Sequence, residues 1–208
     1  MEPIHLTLPG ENDYFTAEAY KVLRTNLQFC GQDVRVIAFT SCLENEGKTT
    51  VALHTSRSFA QLGKKVLFLD TDMRKSVIAG RNTDTRNVKG LSEVLSGLCT
   101  FEECVCPVEG LSLDLLLAGQ YPPNPVELLS GKYFATLVEE CRSRYDYIIV
   151  DTPPLGEVID AAVIARFCDG MALVLGSRKV RYRQAQEVIE QIRKSGCKIL
   201  GIVWNRYV

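Results

Sequence analysis

The sequence predicts a three-layer α/β/α sandwich around a mainly parallel central sheet. Three observations carry that prediction. Short apolar runs alternate with helix-period segments along most of the 208-residue chain, the rhythm of repeated βαβ units. Several of the runs are apolar at nearly every position, as strands covered on both faces must be. Gly47-Lys48-Thr49 stands between one such run and a helical segment, the place where parallel sheets bind ligands beyond the carboxyl ends of their strands.

Taken in order, residues 1–15 read as irregular, with Pro3, Pro9 and Gly10. Residues 16–29 read as an amphipathic helix, with Thr16 as N-cap and Tyr20, Leu23 and Leu27 as its apolar stripe. Strands are expected at 34–39, 65–70, 113–118, 145–151, 170–176 and 198–204. Helical patterns fall at about 47–62, 91–97, 131–143, 158–166 and 181–195. Residues 73–90 are polar, rich in Arg, Asn, Thr and Asp, and read as a mobile surface loop beside the site. Tyr121-Pro-Pro-Asn-Pro125 reads as a stiffer loop leading into a short helix. No internal repeat or low-complexity segment interrupts the pattern, so residues 1–208 are expected to form one domain.

A hydrophobic fraction of 46% supports a full core, and a net charge of −1 provides no basic field for nucleic acid. No apolar run approaches the ~20 residues of a membrane span. Met1-Glu-Pro-Ile-His-Leu6 lacks the features of a signal peptide, so the chain reads as cytosolic. Eight cysteines form no CxxC pair. Cys104-Val-Cys106 is not a zinc spacing, and all eight read as free, mostly buried thiols. His54 reads as a packed helix residue, and Arg178-Lys-Val-Arg181-Tyr-Arg183 as a solvated face.

The chemistry concentrates after the first strand. Thr40-Ser-Cys-Leu-Glu-Asn-Glu-Gly-Lys-Thr-Thr50 ends as a phosphate-binding loop. Backbone N–H groups of the loop and the start of the following helix form an anion cradle. Lys48 reaches the β- and γ-phosphates, and Thr49 offers a hydroxyl to magnesium. The usual first glycine of the loop is replaced by Cys42. Two further strands end in carboxylates, Val66-Leu-Phe-Leu-Asp70-Thr-Asp72 and Ile148-Ile-Val-Asp151. A lone Asp at a strand end is a turn former. Three of them downstream of a GKT loop point to a P-loop NTPase fold with a magnesium–ATP site. Residues i and i+2 of an extended segment face the same way, so Asp70 and Asp72 are both expected to face the nucleotide, one for the metal and one as base.

These motifs resemble the bacterial tyrosine kinases of capsule and exopolysaccharide synthesis. The resemblance runs from about Glu18 to Arg206. It rests on EAYKVLRTNLQF (18–29), the phosphate loop, VLFLDTDMRKS (66–76), GLSEVLSG (90–97), PPNPVELL (122–129), YDYIIVDTPP (145–154) and LGIVWNR (200–206). It implies ATP- and Mg2+-dependent transfer of a phosphoryl group to protein tyrosine, with autophosphorylation. Lys48, Asp70, Asp72 and Asp151 would be catalytic. Glu46, Gly47, Lys48, Thr49, Thr50 and Asn205 would bind nucleotide, Asn205 at the adenine. Thr49, Asp72 and Asp151 would organise the metal, and Asp70 would be the base. The resemblance also implies homo-oligomerisation through the helix at 16–29, where the Glu-x-x-Arg-x-x-Arg pattern reads Glu18, Lys21 and Arg24. A separate transmembrane activator, a polysaccharide co-polymerase, would hold the protein at the inner face of the bacterial membrane.

The chain departs from the family pattern after its last strand, where Asn205-Arg-Tyr207-Val208 carries no tyrosine cluster. Either such a tail was removed or the acceptor lies elsewhere, with Tyr207 the lone tyrosine near the end. Two other readings are a partition-type ATPase switch and a non-catalytic nucleotide-binding regulator. Leu43, standing where such ATPases carry a second lysine, counts against the first. The retained Lys48, Thr49 and three carboxylates count against the second.

Overall fold

The fold was analysed in a computed structural model that describes residues 3–11, 13–78, 82–83, 89–176 and 180–206. Seven strands form one sheet: β1 (Val36–Ser41), β2 (Val66–Asp70), β3 (Cys106–Pro107), β4 (Leu113–Leu116), β5 (Tyr147–Asp151), β6 (Gly170–Gly176) and β7 (Ile199–Asn205). Their spatial order is β3-β4-β2-β5-β1-β6-β7, and all neighbours are parallel except β3 and β4.

Period-two alternation along the strands divides the core into two layers. Ile37, Phe39, Val66 and Phe68 face helices α1 (Tyr14–Phe29) and α2 (Lys48–Gln61), which contribute Leu27, Val51, Leu53 and Phe59. Val36, Ala38, Leu67 and Leu69 face the other side. There they meet residues of α3 (Leu91–Leu95), α4 (Phe101–Cys104), α5 (Pro125–Ser130), α6 (Lys132–Arg144), α7 (Asp160–Ala165) and α8 (Tyr182–Lys194). Each inner strand is buried on both faces, which explains the near-continuous apolar runs.

Several expectations are corrected. The first helix begins two residues early, and its cap is Asp13, whose carboxylate accepts from Thr16 N–H at 2.7 Å. β7 is an edge strand, with Ile202 51% and Trp204 58% exposed, so its apolar run is not covered on both faces. α4 and the two-residue β3 fall below the length at which periodicity is visible.

The stretch 73–90 is not wholly a surface loop. Met73, Ile78 and Asn82 are buried. The nominally irregular start of the chain covers part of it: Leu6 bridges to Thr83, and Ile4, Leu6, Leu8 and Ile78 join one apolar cluster. Residues 79–81 and 84–88 of this stretch, together with Arg178, Lys179 and Tyr207, lie outside the described residues.

Cys99 and Cys104 are joined as a disulfide, because the turn between α3 and α4 folds Cys99 back on the helix that carries Cys104. The other six cysteines are not in a disulfide, and of these Cys30 and Cys168 are only partly buried. His54 is packed as expected, stacked on Tyr20 at 4.4 Å with Nε2 3.0 Å from the Pro9 carbonyl.

Candidate active site

The strand order brings the three chemical segments together. β5 lies between β2 and β1, and the register sets Asp70 opposite Asp151 and Asp151 opposite Phe39. The ends of β2 and β5 are therefore level, β1 runs on to Ser41, and the loop after β1 rises beside both carboxylate-bearing ends. Gly47 caps α2 with φ 87°, and Asn45 also has positive φ at 61°. These turns aim the loop's N–H groups at one point. Cys42 is not among the positive-φ residues, so a side chain is tolerated where the usual pattern has glycine, and it is buried. The glycine requirement moves elsewhere. A Cβ on Gly156 would stand 2.1 Å from the Cys42 carbonyl oxygen, and one on Gly47 would stand 2.2 Å from Asn205 Nδ2.

Lys48 points from the first turn of α2 into the carboxylates. Its Nζ lies 3.2 Å from Asp72 Oδ2 and 3.3 Å from Asp151 Oδ1. The Thr49 hydroxyl donates to Asp151 Oδ2 at 2.6 Å. Burial opposes the charge on Lys48, but Asp151 and Asp72 outweigh it and lift its pKa above the ordinary lysine value. Burial, reinforced by the Asp151 charge, pushes Asp70 up to about 7. Burial also raises Asp151, against the pull of Lys48 and Thr49. At the foot of the pocket two carboxylates, Asp72 and Asp151, share the one Lys48 ammonium.

A cavity of about 400 Å³ opens over these groups, lined among others by Gly47, Lys48, Thr49, Thr50, Asp72 and Asp151. Glu46, Asp70 and Asn205 are not on its wall. The expectation that Asp70 and Asp72 both face the nucleotide is thus corrected. β2 ends at Asp70 and the chain turns, so the two carboxylates no longer share a strand face. Asp70 is fully buried, its Oδ1 accepting from Asp72 N–H at 3.0 Å and its Oδ2 from the Ser76 hydroxyl at 2.5 Å.

The donor set fits magnesium. The Thr49 hydroxyl and the carboxylates of Asp72 and Asp151 are hard oxygen ligands gathered at the foot of the pocket. No group of three or more His, Cys, Asp or Glu among the described residues forms a metal cage of its own. Magnesium needs none, since it keeps several waters and takes few protein ligands.

The comparisons with known proteins agree with this geometry. The AAA domain family matches residues 34–194. Tyrosine-protein kinase CpsD of Streptococcus agalactiae is 40% identical over 191 residues, covering 92% of this chain and 83% of that protein. The chain belongs to the bacterial tyrosine kinases. Among solved structures, the chimerical protein CapA2B2 matches with TM-score 0.88 at 32% identity, covering 95% of this chain and 87% of that one. The kinase domain of Escherichia coli tyrosine kinase ETK matches with TM-score 0.85 at 31% identity, covering 92% of this chain and 77% of that one. The chain is a P-loop protein-tyrosine kinase, and the partition-type ATPase reading is not favoured.

Within the kinase fold, Glu46 and Asn205, expected at the nucleotide, also tie the loop in place, and Arg74 and Lys75, which were not expected at the site, brace it. The buried Glu46 carboxylate accepts from Leu43 N–H and from Gly176 N–H, both at 2.8 Å, and ties the phosphate loop to the end of β6. Asn205 donates to the Glu46 carbonyl at 2.9 Å, behind the loop. Arg74 grips Asp160 through two hydrogen bonds of 2.8 and 3.1 Å, fixing the turn after Asp72 to α7. Lys75 pairs with Glu44 at 2.5 Å across the cavity rim. The DMRKS run held the only sequence signal for Arg74 and Lys75.

On α1, Glu18 and Lys21 pair at 2.6 Å and are half-exposed. Arg24 instead turns inward, donating to the Ser58 carbonyl at 2.7 Å. Among the described residues no helix is long and apolar enough to cross a membrane.

Proposed function

We propose that this kinase transfers the ATP γ-phosphoryl group to protein tyrosine, with its own chains among the substrates. Lys48 and the N–H groups of residues 46–50 hold the phosphates, and Thr50 closes the inner wall. Thr49, Asp72 and Asp151 hold magnesium, which when bound neutralises phosphate charge. Asp70 is the base for the tyrosine hydroxyl. Catalysis is by positioning and charge neutralisation, as phosphoryl transfer needs little covalent help from the protein.

The observation that carries this reading is the convergence of Lys48 Nζ on Asp72 and Asp151, within 3.5 Å, at the foot of a cavity lined by the phosphate loop. Asn205 is read as a strut for the loop as well as an adenine contact, since one N–H of its amide is engaged with the Glu46 carbonyl and the second is left to offer.

The test is phosphotyrosine formation in Lys48→Met and Asp70→Ala. Each is expected to lose it while keeping the wild-type circular dichroism spectrum. Full activity in Asp70→Ala removes the base assignment.

Residues 1–208 are read as one kinase domain whose first helix mediates self-assembly. Glu18 and Lys21 are exposed for a subunit contact, while Arg24 supports it from within. Lys21 keeps the charge of the family's arginine without its bidentate fork. A transmembrane activator of polysaccharide export is the proposed partner, and would hold the kinase at the cytoplasmic face of the membrane. The capsule and exopolysaccharide context rests on the family resemblance.

A further inference from the structure

Asp70 is fully buried and absent from the cavity wall, whereas Ser76 is exposed and on it. The Ser76 hydroxyl donates to Asp70 Oδ2 at 2.5 Å, and the other carboxylate oxygen is held by Asp72 N–H at 3.0 Å. An acceptor tyrosine seated in the cavity therefore meets the Ser76 oxygen before it can meet Asp70. The direction of the hydrogen bond matters. Ser76 spends its proton on Asp70, which leaves the lone pairs of Oγ free to accept a second hydrogen bond. Asp72 does reach the cavity, but it is tied to the Lys48 ammonium at 3.2 Å.

We infer that Ser76 is a catalytic relay between the acceptor tyrosine and Asp70. This rests on the reading of Asp70 as the base. In the step, the tyrosine O–H bond breaks and its proton passes to Ser76 Oγ. The proton already on Ser76 passes to Asp70 Oδ2. The tyrosine oxygen bonds to the γ-phosphorus as the bond from that phosphorus to the ADP oxygen breaks. Asp70 then returns its proton through Ser76 to water. A serine in this place does two jobs. It carries the proton across the depth that separates Asp70 from the cavity, and it keeps bulk water off the carboxylate.

Ser76→Thr and Ser76→Val test the relay as a pair, because the two side chains have nearly the same shape and differ in the hydroxyl. The position is exposed, so both chains are expected to fold; Ser76→Val also takes the hydroxyl donor from the buried Asp70 Oδ2, so urea denaturation is measured beside the kinetics to keep lost stability apart from lost catalysis. Transfer from magnesium–ATP to a synthetic tyrosine peptide is measured beside the wild-type chain, together with ADP affinity. Ser76→Thr is expected to keep kcat within a few-fold of wild type. Ser76→Val is expected to lose ~10²-fold in kcat, the usual scale of acid–base assistance, with ADP affinity and the KM for ATP unchanged. The loss should shrink with a fluorotyrosine peptide, whose more acidic hydroxyl needs less help.

Wild-type kcat in Ser76→Val, or an equal loss for the tyrosine and fluorotyrosine peptides, overturns the relay. Asp70→Asn separates the two claims. If it is inactive while Ser76→Val is active, the base stands and the relay falls. If Asp70→Asn is active, the base reading itself falls and the relay with it.

Discussion

Lys48 Nζ stands 3.3 Å from Asp151 Oδ1, so the lysine of α2 proposed to bind phosphate is also the counter-ion of the carboxylate that ends β5. The same ammonium serves Asp72 at 3.2 Å. A group shared in this way couples the nucleotide site to the stability of the fold.

That sharing predicts non-additivity. Lys48→Met leaves Asp72 and Asp151 facing each other without a compensating charge. Asp151→Asn removes one of the two. Urea denaturation of both single variants and the double variant should reveal a coupling of about 0.5–3 kcal/mol, the range for residues in one buried network. The double variant should be less destabilised than the sum of the singles. Strict additivity would mean that Lys48 does not neutralise Asp151 in the folded state.

Glu46 should matter for binding without touching the nucleotide. Its carboxylate satisfies the N–H groups of Leu43 and Gly176. Glu46→Ala orphans both, at about 1–3 kcal/mol for each buried donor left unpaired. Part of that cost appears as a looser phosphate loop. Affinity for a fluorescent ATP analogue should fall by ~10-fold, equivalent to about 1.4 kcal/mol, with Glu46→Gln falling less because its amide oxygen still accepts one bond. Unchanged affinity in Glu46→Ala would show that the loop holds its shape without this tie.

The parts of the site that were legible in the sequence are those built by neighbours in the chain. Gly47-Lys48-Thr49 and the strand-end Asp70 and Asp151 are local patterns, and the parallel topology makes their meeting unavoidable. The parts that were not legible depend on partners far apart in sequence. Glu46 bonds to Gly176 and Asn205, and Arg74 to Asp160, and none of these pairs has a periodic signature. The misread of Asp70 and Asp72 has a different cause. Period-two reasoning is sound inside a strand, but β2 stops at Asp70, and the turn that follows sends Asp72 into the cavity and leaves Asp70 beneath Ser76. The N-terminal arm was missed because Ile4 and Leu6 are held by isolated bridges, with Leu8 buried beside them, and composition does not reveal such bridges.

Gly156 carries the glycine requirement that Cys42 breaks. Its backbone runs so close to the phosphate loop that a Cβ would meet the Cys42 carbonyl oxygen at 2.1 Å and its Cα at 3.2 Å. Both contacts are with backbone, which cannot rotate away. Gly156→Ala should therefore cost about 1–3 kcal/mol, the usual penalty of overpacking, and should weaken nucleotide binding in the same variant. Cys42→Gly should not rescue it, since the clash is with main-chain atoms. Rescue by Cys42→Gly would locate the conflict in the cysteine side chain instead.

Asp169 predicts an acid limit to stability that is independent of the nucleotide. Its Oδ2 accepts from Arg35 N–H at 2.8 Å and Val36 N–H at 2.7 Å, anchoring the start of β1. Arg142, near the end of α6, pairs with both oxygens at 2.9 and 2.8 Å. Burial acts to raise the Asp169 pKa, but Arg142 and the two N–H groups together outweigh it, and the net shift is downward. A folded pKa below the unfolded value means that the folded state holds this proton less tightly than the unfolded chain does. The stabilisation is therefore complete above the unfolded value of about 3.9. It drains away as pH falls through the lower folded value. Asp169→Asn loses the charge but keeps the shape, and should melt below the wild type by a constant margin between neutral pH and about pH 5. Below about pH 4 the two melting curves should begin to approach each other, and they should meet only once pH has fallen past the lowered folded value, where the wild-type carboxyl is also neutral. Other carboxylates titrate in both proteins alike, so the difference between the curves isolates this one. A margin that stays constant down to the acid unfolding limit would show that the Asp169 charge contributes nothing and that only its hydrogen-bonding shape holds β1.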